Sequence, residues 1–297
     1  MQNKIDLIED LQELTISLNL ENHIKFYEFS MMETTIENGV VLKNEINKTI
    51  HCTILKSGYH VFDVQIEAFD IELKNRTYSI SEKEFISRIA EINDNIIVQI
   101  NSLGENPKVI NHKEILQRLE EKISRLAKSN VGPNVEASFQ YLRDFYRNKT
   151  RIILDTKNYR QHGLLLHSFY GKYTPETIRK RIVRYINFME NTLAHVEEQA
   201  VVKNIKIKTR KVEISVSGEL VEPLYQSMFV KSMQQKQIDF NENDKISLDK
   251  YEGNFIIDID SGVVRNATIA IEFSFGSNYK KTIDYQLNEL KDADNDR

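Results

Sequence analysis

Residues 255–288 read FIIDIDSGVVRNATIAIEFSFGSNYKKTIDYQLN, and this stretch decides the fold class. Phe255, Ile257 and Ile259 alternate with polar partners up to Ser261-Gly262. Ala267, Ile269, Ile271, Phe273 and Phe275 then alternate with Asn266, Thr268, Glu272 and Ser274. After Gly276-Ser277-Asn278, the residues Tyr279, Ile283, Tyr285 and Leu287 alternate with Lys280, Thr282, Asp284, Gln286 and Asn288. A period of two puts one set of side chains on a buried face and the other in water. Both interruptions contain glycine and have hairpin length. The stretch predicts a three-stranded antiparallel meander whose apolar face needs a cover.

Working back toward the N-terminus, the same period recurs. Asn38-Gly39 is a type I′ hairpin signal between strand-like runs, and Ser57-Gly58 marks a second turn. Phe62, Val64 and Ile66 alternate, then the phase slips to Phe69, Ile71 and Leu73, as a bulge near Glu67-Ala68 would produce. Ile96–Ile100 and Val109-Ile110 read as a further strand and its return.

Helical spacing appears in five places. Leu7, Ile8, Leu11, Leu14 and Leu18 predict a helix over 3–18. Ser81 with Glu84 has capping-box spacing ahead of Phe85, Ile86, Ile89 and Ile92. Asn111 with Glu114 starts a second such helix, carrying Ile115, Leu116, Leu119, Ile123 and Leu126. Val135, Phe139, Leu142 and Tyr146 mark a third after Gly132-Pro133, and Thr174-Pro175-Glu176 opens a long one over Ile178, Ile182, Tyr185, Ile186, Met189, Leu193 and Val196. Ile205, Ile207, Val212, Ile214 and Val216 return to strand, and 223–237 is helical or irregular.

The order gives three regions: 1–130, β-rich with flanking helices; 131–203, helical; 204–297, β-rich. No Ser/Gly/Pro linker separates them. The expected architecture is α+β, with antiparallel sheets from the N- and C-terminal thirds and a helical middle packed on one side, forming one integrated unit. Two β modules joined by a helical spacer are the alternative.

The chain has 297 residues, 40% of them hydrophobic, enough for a packed core. Its single cysteine, Cys52, permits no internal disulfide, which fits a reducing compartment. Asp6, Glu9, Asp10 and Glu13 interrupt the N-terminal apolar residues, so they do not read as a signal peptide. No run approaches a transmembrane length. The expected location is the bacterial cytoplasm.

Chemistry-bearing motifs are sparse. The seven histidines form no metalloprotease pair, and one cysteine cannot build a structural zinc site, so no metal is expected. There is no Gly-x-Ser-x-Gly elbow, Walker loop or dinucleotide fingerprint, and no cofactor is expected. Catalytic residues are therefore not assigned, and the reading leans away from an enzyme.

Charge is segregated. Residues 143–211 carry 16 Lys/Arg against 6 Asp/Glu, leaving 24 and 38 for the rest of the chain. Lys206, Lys208 and Arg210 alternate along one expected strand face. Arg179, Lys180, Arg181 and Arg184 open the expected long helix. These seven are the candidate partner-binding residues, for an acidic protein surface or for nucleic acid. A solvated helix face, a charge-protected edge strand or pairing with the acidic flanks explains them equally.

The segment from Val98 through Gly104, Val109-Ile110-Asn111 and Glu114-Ile115 to Lys128, with Phe255 to Gly262 and the strand after it, resembles uncharacterised β-rich proteins of Bacteroidota, some of them lipoprotein-like. The resemblance covers about a fifth of the chain's 297 residues and brings no catalytic residues with it. Relatives of that kind often carry export signals, which this N-terminus does not show.

The leading functional expectation is a non-catalytic protein-interaction factor with an unknown protein partner: an adaptor, a chaperone-like or an immunity-type factor, accessory to a secretion or toxin system. The alternatives are binding of a lipid or other hydrophobic ligand on a curved sheet, and nucleic-acid binding by the basic middle.

Overall fold

A computed structural model describes residues 13–75, 95–157, 161–166, 169–174, 176–186, 193–221 and 226–290. The chain order is β1 (Leu14–Ile16), β2 (Asn22–Glu37), β3 (Val40–Gly58), β4 (Val61–Asn75), β5 (Asn95–Asn101), β6 (Lys108–Val109), α1 (His112–Leu126), α2 (Pro133–Arg147), α3 (Lys149–Lys157), α4 (Gln161–Leu165), β7 (Gly171–Tyr173), β8 (Ile178–Ile186), β9 (Leu193–Lys206), β10 (Lys211–Val221), α5 (Gln226–Gln235), β11 (Ile246–Asp258), β12 (Val264–Phe275) and β13 (Tyr279–Glu289).

Eleven strands form one antiparallel sheet in the order β6-β5-β4-β3-β2-β13-β12-β11-β10-β9-β8. The meander predicted from residues 255–288 is β11–β13. Its last strand pairs with β2, Leu287 opposite Phe29 and Tyr285 opposite Met31. The N- and C-terminal thirds thus share one sheet, with the middle helices on one side of it, and the α+β expectation holds. The N-terminal wing, β2–β6, and the C-terminal wing, β8–β13, meet at this seam.

Alternation gives the sheet two unlike faces. The inner face carries Tyr27, Phe29, Ile50, Ile66, Val98, Ile214, Phe255, Ile271 and Phe273, each at most 2% exposed. Removing such area from water, at about 25 cal/mol per Å², is the main force holding the covering elements down. Helix α1 buries Ile115, Leu119, Ile123 and Leu126, the stripe its sequence spacing predicts. Phe169 meets Phe255 edge to face with ring centroids 4.5 Å apart. Phe229 of α5 lies against Phe275 and Tyr279 at 4.9 and 5.6 Å. The β1–β7 pair forms a small second sheet. It is tied to the large one by Leu18 N–H donating to Ser102 O at 2.8 Å and Asn19 N–H to Ser261 O at 3.1 Å.

The Asn38-Gly39 turn forms with both residues at positive φ, 48° and 80°, as a type I′ hairpin requires. The second turn sits two residues beyond its expected place, at Tyr59-His60. The bulge is real but later than Glu67-Ala68: the β3–β4 register shifts between Asn47 and Thr49, and Asp70 has φ 53°.

Two expected helices are replaced by strands, and one strand expectation and one helix cap also change. The long helix from Thr174 is instead the β8–β9 hairpin. Ile178, Ile182 and Ile186 recur every four residues, and residues four apart share a face in a helix and in a strand alike, so the spacing did not discriminate. The helix over 3–18 is replaced in its described part by β1, with Leu14 and Ile16 buried and Thr15 exposed. Ile207 lies in a 3-10 turn (Ile207–Thr209) between β9 and β10. Asn111 precedes α1 as expected, yet its side chain does not cap the helix. Its Oδ1 accepts from Ile97 N–H at 3.0 Å and its Nδ2 donates to Asn95 O at 2.9 Å, extending the edge of β5 as a backbone would. The helix expected around 81–92 lies outside the described residues.

Candidate functional site

The apolar inner face is not covered evenly. A row of side chains runs across five strands through registered pairs: Leu73–Ile46–Met31–Tyr285–Ile269. Ile269 and Tyr285 are buried at 1% and 7% exposure. Met31, Ile46 and Leu73, the continuation of the same row in the N-terminal wing, are only half-buried. The row two residues along, Asn44–Glu33–Ile283–Ile271, repeats the gradient from half-buried β3 and β2 to buried β13 and β12.

Polar groups rim this open margin. Lys281 Nζ pairs with Glu33 at 2.9 Å, and Asn44 Nδ2 donates to the same carboxylate at 3.3 Å. Lys48 Nζ lies 5.0 Å from the centroid of the Phe29 ring. An apolar wall with carboxylate and ammonium groups at its edge suits an amphipathic molecule: the chain against Met31, Ile46 and Leu73, the polar end among Lys48, Lys281 and Glu33. The sequence signal for it was present in the alternation of β2 and β3, but the partial cover could not be read from one strand.

The seven basic candidates fall into two groups. Arg179, Lys180, Arg181 and Arg184 are on β8, an edge strand rather than a helix. Lys180 pairs with Glu197 at 2.8 Å. Arg181 Nε donates to Glu198 at 2.6 Å, and that carboxylate, 1% exposed, also accepts from Tyr251 Oη at 2.7 Å. The Arg179 guanidinium stacks on Tyr173 at 4.9 Å, against Gly171, where an added Cβ would collide with it. Arg184 stands opposite His195 in the β8–β9 ladder. Lys206 ends β9, Lys208 lies in the 3-10 turn and Arg210, at φ 52°, binds Asp260 through Nε and Nη2. The three do not alternate on one strand face, because the chain turns between Lys206 and Lys211. Acids of this chain thus already answer Lys180, Arg181 and Arg210.

Cys52 lies on the inner face with its thiol pushed up to about 12 by burial, so it carries no thiolate at neutral pH. Burial likewise raises the Tyr173 phenol to about 12, and its hydroxyl donates to Phe169 O at 2.7 Å. These groups are structural.

The outer face of the N-terminal wing carries an apolar patch, and Ile178, Ile182 and Val201 expose further apolar side chains on the outer face at the β8–β9 edge. Ile24 and Phe26 are 51% and 42% exposed, and the Phe26 ring stacks on His51 at 4.8 Å and meets Phe69 edge to face at 6.1 Å.

No protein-family model matches the chain, and no curated protein matches it in sequence. Among solved structures the chain is similar to one described as lipid–protein interactions in lipovitellin. The TM-score is 0.43 at 8% identity, covering 92% of this chain and 25% of that one, so this chain spans about a quarter of its length. A second is DynF from the dynemicin biosynthesis pathway of Micromonospora chersina, at TM-score 0.21 and 8% identity, covering 94% of this chain and 87% of that one. Alignments this loose transfer no ligand, and the function is argued from this chain's own residues.

Proposed function

We propose that this protein binds a lipid or lipid-like hydrophobic ligand on the inner face of its N-terminal wing. The observation that carries the reading is the Leu73–Ile46–Met31–Tyr285–Ile269 row, an apolar wall that is sealed at one end and half-open at the other. A half-buried Ile or Met still presents apolar area that an alkyl chain can cover, at about 0.8 kcal/mol per buried CH₂. The rim of Lys48, Lys281 and Glu33 supports an amphipathic ligand over a purely apolar one. In a displacement titration with a fluorescent fatty acid, Ile46→Asp is expected to weaken binding by about tenfold or more, since a carboxylate there is desolvated by the ligand. Thr34→Asp, on the outer face of β2, is expected to leave binding unchanged. Equal effects from the two substitutions would remove the inner wall from the account.

The Ile24, Phe26 and Phe69 patch supports a second reading, the protein-interaction factor. Large apolar side chains clustered and exposed on a sheet face suit a protein partner. A stoichiometric partner recovered from the native organism with the wild-type chain and lost with Phe26→Asp is the expected result under that reading. Recovery unaffected by Phe26→Asp would dismiss the patch.

A further inference from the structure

The outer face of the C-terminal wing holds a groove of about 590 Å³. Two adjacent registered rows form its floor across β13–β10: Asp284–Ala270–Glu252–Ser217 and Gln286–Thr268–Asn254–Ser215. The floor is low because Ala270, Ser215, Ser217 and Thr268 are short, whereas Lys203 stands at one side. The groove therefore offers hydroxyls and amides along its length and two carboxylates separated by a methyl.

The carboxylates differ in their company. Glu252 lies 3.6 Å from Lys250 on its own strand and is 72% exposed, a loose pair. Asp284 is half-buried and has no hydrogen-bond or ion-pair partner among the described residues. Its carboxyl is held above the ordinary range, first by burial and further by Glu272, with Lys250 acting the other way. Lys250, the cation within Coulombic reach of Asp284, makes no ion pair with it and already lies against Glu252, and a partly desolvated carboxylate lacking a hydrogen-bonded cation is complementary to one brought by a ligand. Asp284 and Glu252 sit two strands apart with Ala270 between them. At about 4.8 Å per strand their backbones are roughly 10 Å apart, so two hydrogen-bonded ammonium groups fit between them on a short alkyl linker.

We propose that this groove binds a linear aliphatic diamine or polyamine, with one ammonium on Asp284, the second toward Glu252, and the methylene chain over Ala270. The inference is independent of the inner-face ligand, because Asp284 and Gln286 point away from Ile283, Tyr285 and Leu287.

The test is NMR or calorimetric titration of the full chain with 1,4-diaminobutane, with butylamine and a neutral disaccharide as comparisons. The diamine is expected to bind more tightly than butylamine, and the disaccharide not to bind. Asp284→Asn, which keeps the shape, is expected to weaken the diamine by about tenfold, the value of one charge-assisted hydrogen bond. Ala270→Leu, which raises the floor without changing charge, is expected to abolish binding. Ile46→Asp on the other face is expected to leave it unchanged, so failure of the lipid reading and failure of this one are read separately. The proposal is overturned by no diamine binding up to about 10 mM. It is equally overturned by unchanged binding in Asp284→Asn or Ala270→Leu, by butylamine binding as tightly as the diamine, or by preference for the disaccharide.

Discussion

The two wings of the sheet are built from the same alternation and finish differently. In the C-terminal wing the inner residues Phe255, Ile271, Phe273 and Phe275 are sealed to 1% exposure or less, and even the buried carboxylate Glu198 has both an arginine and a tyrosine. In the N-terminal wing the upper inner residues, Ile50, Cys52, Val64 and Ile66, are equally sealed, but the wall loses its full cover at Met31, Ile46 and Leu73. One pattern of residues thus serves as core where neighbours cover it and as a candidate ligand surface where they do not. An apolar strand face states that something must lie on it, and the supply of covering elements decides whether that is the chain itself.

The contrast should be visible in stability. Phe273→Ala is expected to cost about 3–5 kcal/mol, as for a fully enclosed aromatic, whereas Ile46→Ala should cost only about 1 kcal/mol, because its site can collapse or admit water. Denaturant midpoints of the two variants measure this, and equal losses would erase the difference between the wings. Next in size, Glu198→Ala is expected to cost about 3 kcal/mol, since it removes a carboxylate, 1% exposed, that accepts from both Arg181 Nε and Tyr251 Oη. A loss near zero in the same assay would mean that the C-terminal wing is looser around β9 than its burial implies.

Much of the fold was legible. The meander, the Asn38-Gly39 hairpin, α1 and α2 followed from period and turn chemistry, which are local. The β8–β9 hairpin was not legible, because isoleucines spaced by four satisfy a helix and a strand equally, and only pairing with β10 decides between them. Asn111 shows the same limit on a smaller scale: its spacing to Glu114 fits a cap, but the unpaired edge of β5 claimed its amide. The candidate site was less legible than the fold. Met31, Ile46 and Leu73 come from three strands, and their half-burial depends on what lies above the sheet rather than on their own neighbours in sequence. The basic residues were conspicuous in the sequence, yet Glu197, Glu198 and Asp260 answer three of them once the strands are in register.

Native mass spectrometry of the recombinant chain tests most directly whether the half-open wall holds a hydrophobic ligand. A bound species of lipid mass is expected on the wild-type protein, released by organic extraction and absent from Ile46→Asp while retained by Thr34→Asp. A clean apo mass for the wild type, persisting after incubation with fatty acids and phospholipids, would contradict it.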